Sequence, residues 1–148
     1  WRFYSEKHLL LTEIGSYRTH TNFNSIPHSG YYTKEDMKEI VDYAHSLFIK
    51  VIPEIDTPGH VKAMLAAYPQ LACFPQDFTV SCFWGVKHDV LCIGKASTFD
   101  FIFELYDELA EIFTDGIIHP GGDEVPSVRW KHCPECQKRM QQEGMKDE

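Results

Sequence analysis

The feature that most constrains this chain is an acidic pair that directly follows a short apolar strand and two glycines. The run is His119-Pro120-Gly121-Gly122-Asp123-Glu124, and the apolar pair Ile117-Ile118 precedes it. In a regular strand, successive side chains point to opposite faces, so Asp123 and Glu124 would diverge. The two glycines permit backbone angles that turn the chain and let both carboxylates enter one pocket. Two close carboxylates resist ionising together, and we therefore expect one raised pKa and a proton available for acid catalysis.

A second run, Val51-Ile52-Pro53-Glu54-Ile55-Asp56-Thr57-Pro58-Gly59-His60, favours this interpretation over an exposed acidic turn. Residues 49–55 have the near-continuous apolar start that is typical of a parallel strand covered on both faces. Glu54 and Asp56 are two residues apart and share one face of that strand, and His60 follows a Pro-Gly turn. Two strands joined by a long crossover are expected to be parallel. In an α/β barrel, the carboxyl ends of such strands form the active-site face.

Apolar spacing predicts four helices, which are separated by irregular segments. They are residues 34–48, about 60–68 ended by Pro69, about 97–113 capped by Ser97 or Thr98, and a last helix within 127–143, begun near Pro134 and ended by Gly144. Thr33 and Asp36 form a capping-box pair at the start of the first helix. Residues 1–30 and 70–96 are predicted to be irregular, and connections as long as the second are often functional.

The overall composition is that of one ordinary globular domain. The chain has 148 residues, of which 43% are hydrophobic and 24% are charged. Its formal charge of −8 argues against nucleic acid or an anionic membrane as the main partner. No stretch approaches the roughly 20 apolar residues that span a bilayer. The N-terminus has no initiator Met and no signal-peptide layout, and we interpret it as a cut inside a domain.

Five cysteines leave at least one without an internal disulfide partner, because their number is odd. They are Cys73, Cys82, Cys92, Cys133 and Cys136. The spacing Cys133-x-x-Cys136 is compatible with zinc or a redox pair, but no second C-x-x-C pair is present. His119 and His132 lie nearby in the sequence without standard ligand spacing. From the residues alone, structural thiols, a disulfide and a metal site all remain open.

Seven segments, taken in order, resemble glycoside hydrolase family 20, the β-N-acetylhexosaminidases. They are Trp1-Arg2, Leu11-Thr12-Glu13-Ile14-Gly15, Gly30-Tyr31-Tyr32-Thr33, the P-E-I-D-T-P-G-H run, Trp84-Gly85-Val86, the G-G-D-E run and Trp130-Lys131-His132-Cys133-Pro134-Glu135-Cys136-Gln137. Each segment is a weak signal alone, but seven in the family's order are specific. The likeness runs almost from one end of the chain to the other.

The resemblance implies an α/β fold, the (β/α)8 TIM barrel, which needs about 200 residues or more. Matched to the family's order, residues 1–148 are a fragment of a single catalytic barrel domain. The piece is a partial TIM barrel, from roughly the end of strand 2 through the helix after strand 4. An incomplete barrel exposes strand edges and apolar faces, so we expect the fragment to self-associate.

For the chemistry, the resemblance implies hydrolysis of terminal non-reducing N-acetylhexosamine residues by a substrate-assisted, retaining mechanism. Glu124 is then the general acid, and it later acts as base toward water. Asp123 holds the 2-acetamido N–H and stabilises the oxazolinium ion that forms when the acetamido oxygen attacks the anomeric carbon. His60 matches a histidine that hydrogen-bonds near the acid. The fragment alone is expected to be inactive or nearly so, because the other walls of the pocket are absent.

Four further residues are candidates for substrate binding under this resemblance. Trp84, in the long loop, is placed to stack on a sugar face, and Trp1 is a weaker candidate of the same kind. Glu54 and Asp56 are the other two candidates. The alternatives are loop or core anchoring for the tryptophans and a structural role for the carboxylates, which would pair with polar groups of the barrel interior or orient the His60 loop.

The resemblance also implies no metal and no organic cofactor. The Cys-Pro-Glu-Cys-Gln run matches a segment that the family carries without using a metal, which favours structural thiols or a disulfide. The expected partners are glycans that contain N-acetylglucosamine or N-acetylgalactosamine, with no nucleic acid. Relatives are typically periplasmic, secreted or lysosomal, and we expect the same compartment here.

Two other functions remain open, and three positions depart from the family's pattern. The chain could be a non-catalytic carbohydrate-binding piece, or part of a barrel glycosidase that pairs Glu124 with an enzyme carboxylate as nucleophile. Pro120 stands where Ile is common, so the strand end is expected to pair poorly. Phe48 replaces a helix-ending Gly, which predicts a slightly different helix end and a cost of about 1 kcal/mol. Tyr4 stands where Glu is usual.

Overall fold

The computed structural model describes residues 1–147, which form an α/β arrangement of helices and isolated backbone bridges, two of them parallel and two antiparallel. The helices are α1 (Leu10–Glu13), α2 (Lys34–Ser46), α3 (Lys62–Ala67), α4 (Ala96–Ile112), α5 (Val128–His132) and α6 (Pro134–Gln142), with a 3₁₀ turn at Pro69–Leu71. Helices α2, α3, α4 and α6 lie near their predicted positions. The sequence pattern does not predict α1 or α5, because four or five residues are too few to show an apolar period.

Helix α2 begins with the predicted capping box. The hydroxyl of Thr33 accepts a hydrogen bond from the backbone N–H of Asp36 at 3.1 Å, and the Asp36 carboxylate accepts the Thr33 N–H at 2.8 Å. Two donors that the first helical turn leaves free are thereby satisfied. The helix buries Met37 and Val41 and exposes its other face. The apolar spacing predicted this buried face only in part, because Ile40 is 44% exposed and Leu47 is 51% exposed.

The end of α2 is unusual because a phenylalanine takes a glycine position. Phe48 has a φ of 62°. Its N–H bonds to the carbonyl of His45, and the N–H of Ile49 bonds to the carbonyl of Ala44. These two bonds make the Schellman ending that helices commonly build with glycine. The expected change in the helix end is therefore wrong: the left-handed ending persists, with the Phe48 side chain 99% exposed.

Helix α4 supplies the largest apolar face of the core. Its buried residues are Thr98, Phe101, Leu105, Leu109 and Ile112. The predicted cap by Ser97 or Thr98 is wrong, because the helix starts at Ala96 and Lys95 precedes it without a side-chain cap. Thr98 lies inside the helix and is buried among the core residues. An ion pair of 2.8 Å between Lys34 and Glu111 joins α2 to α4.

The two predicted strands reduce to one short parallel pairing. Glu54 pairs with His119, and the flanking hydrogen bonds run from the N–H of His119 to the carbonyl of Pro53 at 2.9 Å and from the N–H of Ile55 to the carbonyl of His119 at 3.1 Å. The parallel direction agrees with the prediction. Extended strands over 49–55 and 117–119 are not present in residues 1–147.

Available donors explain why this pairing is short. Pro53 and Pro120 have no N–H to offer a neighbouring strand. The N–H of Val51 bonds instead to the carboxylate of Asp115 at 3.2 Å. Covering on both faces is also wrong for this segment: Ile55 is buried, whereas Ile52 is 49% exposed. The pairing is therefore confined to the polar end of the segment, where the site lies.

The buried residues form two clusters. The larger cluster joins α2, α3 and α4, and includes Leu11, Val41, Ile55, Leu65, Leu105 and Leu109. The second lies under α5 and α6 and contains Val90, Trp130 and four sulfurs; we call Cys73, Cys92, Cys133 and Cys136 the cysteine cluster. Within residues 1–147, no helix combines the length and the apolar character that a bilayer crossing requires.

Candidate active site

Parallel pairing brings the two acidic runs to the same edge of the molecule. Residues 54–60 and 119–124 meet there, and we call them together the strand-end site. Beyond the Glu54–His119 pair, the carbonyl of Pro120 accepts the N–H of Thr57 at 2.9 Å and the Thr57 hydroxyl at 3.2 Å. The expectation of poor pairing at Pro120 is therefore wrong. The pairing here uses only the carbonyl oxygen of Pro120 as an acceptor, so the missing N–H has no effect.

The two glycines of the G-G-D-E run make the turn that the sequence predicted. Gly121 has a φ of 73° and Gly122 a φ of 108°, which L side chains rarely adopt. The N–H of Gly122 lies 3.4 Å from a carboxylate oxygen of Asp56. A Cβ on Gly121 would collide with the same carboxylate and lie 2.8 Å from the Asp56 Cα. Close approach to Asp56 therefore requires glycine at position 121.

His60 lies between two carboxylates of the strand-end site. Its Nε2 is 3.6 Å from an oxygen of Glu124 and 4.0 Å from an oxygen of Asp56. His60 and Glu124 both have positive φ values, 54° and 50°. Non-glycine residues adopt this region at a cost, and such strain concentrates at functional sites. The backbone therefore holds the His60 and Glu124 side chains in a geometry that an ordinary turn would not give.

Asp123 lies close to the same histidine and to Asp56. Single ligand atoms of Asp56, His60 and Asp123 all lie within 4.8 Å of one another. Asp123 and Glu124 are both exposed, and both approach His60. The glycine turn therefore brings the two neighbouring carboxylates together, as predicted, and both lie near one histidine. Three such groups are also close enough to hold a cation, although exposed acidic groups often gather without one.

His119, which lies beside Glu54, supports the strand-end site in a way that the sequence did not predict. The Glu54 carboxylate lies 3.4 Å from Nδ1 of His119, and both side chains are more than half exposed. The same Nδ1 accepts the N–H of Gly121 at 3.0 Å. His119 therefore braces the glycine turn, and because its Nδ1 accepts there, that nitrogen has no proton to donate to Glu54. Only the position of His119 just before the glycines signalled this role.

A cavity of about 490 Å³ opens beside these residues. Its lining includes Trp1, Glu54, Asp56 and His60 together with apolar side chains of the core. Trp1 is anchored by an indole N–H bond of 2.7 Å to the carbonyl of Phe3. Glu54 and Asp56 thus face one cavity, as their spacing predicted.

Trp84 lies apart from the strand-end site on the long loop. Its side chain is 91% exposed. The carbonyl of the same residue accepts a hydrogen bond from Lys87 at 3.3 Å. An exposed indole can stack on a sugar ring, so sugar contact at Trp84 stays a prediction.

Asp89 connects the segments that follow the two acidic runs. It pairs with Lys62 of α3 at 2.8 Å and with Arg129 of α5 at 2.9 Å. Burial alone would raise the pKa of Asp89, but the hydrogen bonds and charges of Lys62 and Arg129 lower it overall. Lys62 also lies 4.4 Å above the ring of Phe78. The sequence did not predict this bridge, because Asp89 lies in an irregular segment without a period.

Leu91 makes a second connection through its backbone. Its N–H bonds to the carbonyl of Pro58 at 3.0 Å, and its carbonyl accepts the indole N–H of Trp130 at 2.9 Å. Leu91 also pairs with Ala72 in an antiparallel bridge. The turn before His60 is therefore bonded to the long loop and, through it, to α5.

Comparison with known proteins agrees with this geometry. Residues 1–148 match the family described as glycosyl hydrolase family 20, catalytic domain. A β-hexosaminidase of Porphyromonas gingivalis is 52% identical over 148 residues, which are 100% of this chain and 19% of that protein. A solved β-N-acetylhexosaminidase is 40% identical with a TM-score of 0.96, over 99% of this chain and 32% of that one.

A more distant solved structure carries a sugar. The family 20 exo-β-N-acetylglucosaminidase of Vibrio harveyi, solved in complex with N-acetylglucosamine, is 28% identical with a TM-score of 0.82, over 99% of this chain and 24% of that one. The chain thus spans a third or less of the length of the proteins it matches. This chain belongs to the glycosyl hydrolase family 20 catalytic domains, which confirms the family that the sequence motifs indicated.

Proposed function

We propose that this chain supplies the acid and its partner in a β-N-acetylhexosaminidase, which removes terminal non-reducing N-acetylhexosamine residues by substrate-assisted, retaining catalysis. The observation that carries the proposal is the approach of Glu124 and Asp123 to one histidine, His60. The names of the relatives, and the N-acetylglucosamine bound by the Vibrio harveyi enzyme, support the sugar.

In the first step, Glu124 donates its proton to the glycosidic oxygen. The bond between that oxygen and the anomeric carbon breaks, and the leaving group departs as an alcohol with the bonding electron pair. The carbonyl oxygen of the substrate's 2-acetamido group attacks the anomeric carbon and forms an oxazolinium ion. Asp123 accepts a hydrogen bond from the acetamido N–H, and its negative charge stabilises the developing positive charge.

In the second step, the Glu124 carboxylate takes a proton from water. The water oxygen attacks the anomeric carbon from the face that the leaving group vacated. The bond to the acetamido oxygen breaks, so the acetamido group is restored and the configuration is retained. Glu124 ends the cycle protonated, which lets one residue act first as acid and then as base.

His60 is the positioning residue for this pair. Its Nε2, 3.6 Å from Glu124 and 4.0 Å from Asp56, can donate to either carboxylate. A donor on one side of Glu124 restricts the rotamers of that side chain, and accurate placement of a proton donor contributes strongly to rate. Asp56 anchors both His60 and the glycine turn, because the N–H of Gly122 also approaches its carboxylate.

The proposal assigns this chain to part of a (β/α)8 barrel, from the end of strand 2 through the helix after strand 4. The two acidic runs then lie at the carboxyl ends of neighbouring strands, where barrel enzymes place their sites. The remaining strands would complete the sugar pocket over the cavity that Glu54, Asp56 and His60 line. Residues 1–148 alone are then inactive or nearly so.

The test compares Glu124→Gln, Asp123→Asn and the control Asp42→Asn in the full-length protein. Asp42 is an exposed carboxylate of α2, away from the site. Asp123→Asn should lower kcat about 10³-fold on every substrate. Glu124→Gln should lower kcat by about 10²- to 10⁴-fold on a disaccharide but less on an aryl glycoside, because a good leaving group needs little protonation.

Four outcomes would count against the proposal. Near-normal rates for Asp123→Asn would remove that residue from the mechanism. A trapped covalent glycosyl-enzyme would indicate an enzyme nucleophile, whereas strong inhibition by a thiazoline mimic of the oxazolinium ion supports the substrate's own acetamido group. Binding of N-acetylglucosamine without turnover in the full-length protein would indicate a carbohydrate-binding function. Substantial turnover by residues 1–148 alone would contradict the need for the remaining strands.

A further inference from the structure

Four of the five cysteines converge from three separate parts of the chain. The members of the cysteine cluster have relative exposures of 8% (Cys73), 0% (Cys92), 1% (Cys133) and 5% (Cys136). All four Sγ atoms lie within 4.8 Å of one another. The Sγ–Sγ distances are 3.6 Å between Cys92 and Cys133, 3.7 Å between Cys92 and Cys136, and 3.8 Å between Cys73 and Cys136. Buried thiols are therefore arranged as a compact four-sulfur group.

These distances are those of a tetrahedral metal site. Zn²⁺ binds thiolates at about 2.3 Å, and a regular tetrahedron of that size has edges of about 3.8 Å between sulfurs. All five cysteines, which lie within the described residues, are free thiols. We propose that the cysteine cluster is a structural zinc site, with four thiolates that fill the coordination shell. Four protein ligands leave no open position, so the metal has a structural role and no catalytic one.

The surroundings of the cluster suit a charged four-thiolate centre. Zinc with four thiolates carries a net charge of about −2, and two cations hold the backbone beside the ligands. Lys95 Nζ donates to the carbonyl of Ala72 at 3.0 Å, next to Cys73. Arg139 donates to the carbonyl of Ile93 at 2.9 Å, next to Cys92. Such outer contacts orient metal ligands and tune their affinity.

A glycine lets the backbone close on the cluster. A Cβ on Gly94 would collide with the backbone of Glu135 and the backbone nitrogen of Cys136. The loop that carries Cys92 therefore lies directly against the start of α6, which carries Cys136. Cys133 precedes α6 and Cys136 lies in its first turn, so the C-x-x-C pair presents two sulfurs from one rigid helix start. The other two sulfurs come from the long loop, which has little regular structure of its own.

The proposed zinc joins this loop to the helices that follow the G-G-D-E run. Cys92 is the neighbour of Leu91, whose N–H bonds to Pro58 in the turn before His60. The same Leu91 accepts the Trp130 indole N–H. Loss of the metal should therefore loosen the His60 turn as well as the loop. The C-x-x-C spacing alone could not show this site, because Cys73 and Cys92 lie far apart in an irregular segment.

The direct test is the metal content of the full-length protein, purified without a metal-chelating resin. Elemental mass spectrometry should find about one zinc per chain. After removal of zinc under reducing conditions, Co²⁺ should restore a coloured protein with thiolate-to-cobalt charge transfer and tetrahedral visible bands. Folded protein without metal, with all its thiols titratable in denaturant, would overturn the proposal. Disulfides between members of the cluster, or iron in place of zinc, would overturn it equally.

Single variants identify the ligands, and the fifth cysteine supplies the matched control. Cys73→Ser and Cys92→Ser should lose zinc, whereas Cys82→Ser should retain about one equivalent. Cys82 lies outside the cluster, with its Sγ 3.5 Å from the Thr19 hydroxyl. Cys136→His offers a nitrogen ligand, so it should keep the metal and shift the cobalt spectrum. Because a ligand variant can fail to fold, the cobalt spectrum of the unsubstituted protein decides the result by itself. Zinc retained in Cys92→Ser would contradict the assignment.

The effect on catalysis rests on the proposed function and is measured separately. Removal of zinc should lower kcat by about 10- to 100-fold with a smaller change in KM, because the His60 turn loses its support. Zinc and cobalt binding without any hexosaminidase activity would reject the function and keep the metal site. Full activity without bound metal would reject the metal site and keep the function.

Discussion

The strand-end site and the cysteine cluster are linked through Leu91, the neighbour of Cys92, but differ in how they are held. At the strand-end site the side chains are open to solvent, with 62% of Glu124 and 29% of His60 accessible. Several backbone angles there are left-handed. The cysteine cluster is almost completely buried. The side chains of Glu124 and His60 thus make few packing contacts, in contrast to the cysteine side chains.

This difference shows where the precision of the site comes from. Open carboxylates keep a fixed geometry only when the backbone beneath them is fixed. Here the glycine turn is braced by Asp56 and His119. The turn before His60 is bonded to the loop that carries Cys92. Hydrogen bonds to neighbouring buried segments can therefore fix side chains that have little packing of their own. Substitutions can separate the contribution of the glycine turn from that of the buried segments.

Gly121→Ala should give the largest effect. The new Cβ would meet the Asp56 carboxylate and strain a φ of 73°. We expect kcat to fall at least about 100-fold, because Asp123 and Glu124 follow this turn directly. Stability should fall by about 3 kcal/mol from left-handed strain and overlap together. Steady-state kinetics and urea unfolding measure the two effects.

Gly116→Ala is the matched control for that substitution. Gly116 has nearly the same φ, 74°, but a Cβ there meets nothing within 4 Å. It should cost about 1 kcal/mol and leave kcat unchanged. Equal losses of activity in the two variants would show that Asp56 contact does not hold the turn.

Asp89→Asn should give the next largest effect, on stability first. The substitution removes the charge that pairs with Lys62 and Arg129. We expect a loss of about 2 kcal/mol at neutral pH, since hydrogen bonds to charged groups are the stronger ones. Asp107→Asn, on the exposed face of α4, is the control and should change little. Urea unfolding near neutral pH measures both.

The pH dependence of stability provides the sharper check on Asp89. Its pKa in the folded protein is lowered overall. A carboxylate with a lowered folded pKa stabilises the protein above its unfolded pKa, about 3.9, and loses that contribution as the pH falls through the folded value. The stability difference between wild type and Asp89→Asn should therefore shrink as the pH falls from about 7 to below 4. A difference that stays constant with pH would contradict the assigned role.

Phe48→Gly should give the smallest effect, and it should be stabilising. Phe48 holds a φ of 62° with its side chain 99% exposed, so removal of the ring loses almost no packing. Relief of the left-handed strain should add about 1 kcal/mol to the free energy of unfolding. Phe48→Ala should be close to neutral, because it keeps a Cβ. If Phe48→Ala were also stabilised, the destabilising effect of Phe48 would come from its ring and not from its backbone angle.

The sequence predicted the parts of this molecule that depend on local rules. The capping box at Thr33, the start of α6 at Pro134 and the turn at Gly121 follow from side-chain chemistry within a few residues. The two glycines and a parallel connection predicted that Asp123 and Glu124 share one pocket, whereas His60 beside the acid was implied by the family resemblance. The family resemblance supplied the roles that the residues alone left open.

The features that the sequence did not predict depend on distant partners. Extended strands were expected at 49–55, but Asp115 takes the N–H of Val51 and prolines remove others. The Asp89 bridge joins residues from three segments, and no pattern in one segment shows it. Phe48 adopts a left-handed backbone angle that phenylalanine disfavours, because the two hydrogen bonds of the helix ending hold it there.

Lys62 has one further consequence. It contacts Phe78 through its cation and Asp89 through its charge, so one side chain fixes both ends of residues 79–88. Between those ends, Cys82 lies 3.5 Å from the Thr19 hydroxyl and the ring of Phe83 lies 5.3 Å from the ring of His20. Closing a longer excursion between two fixed points costs little additional entropy. A change of length in this segment, which carries the exposed Trp84, therefore leaves its two ends fixed and alters first its contacts with Thr19 and His20.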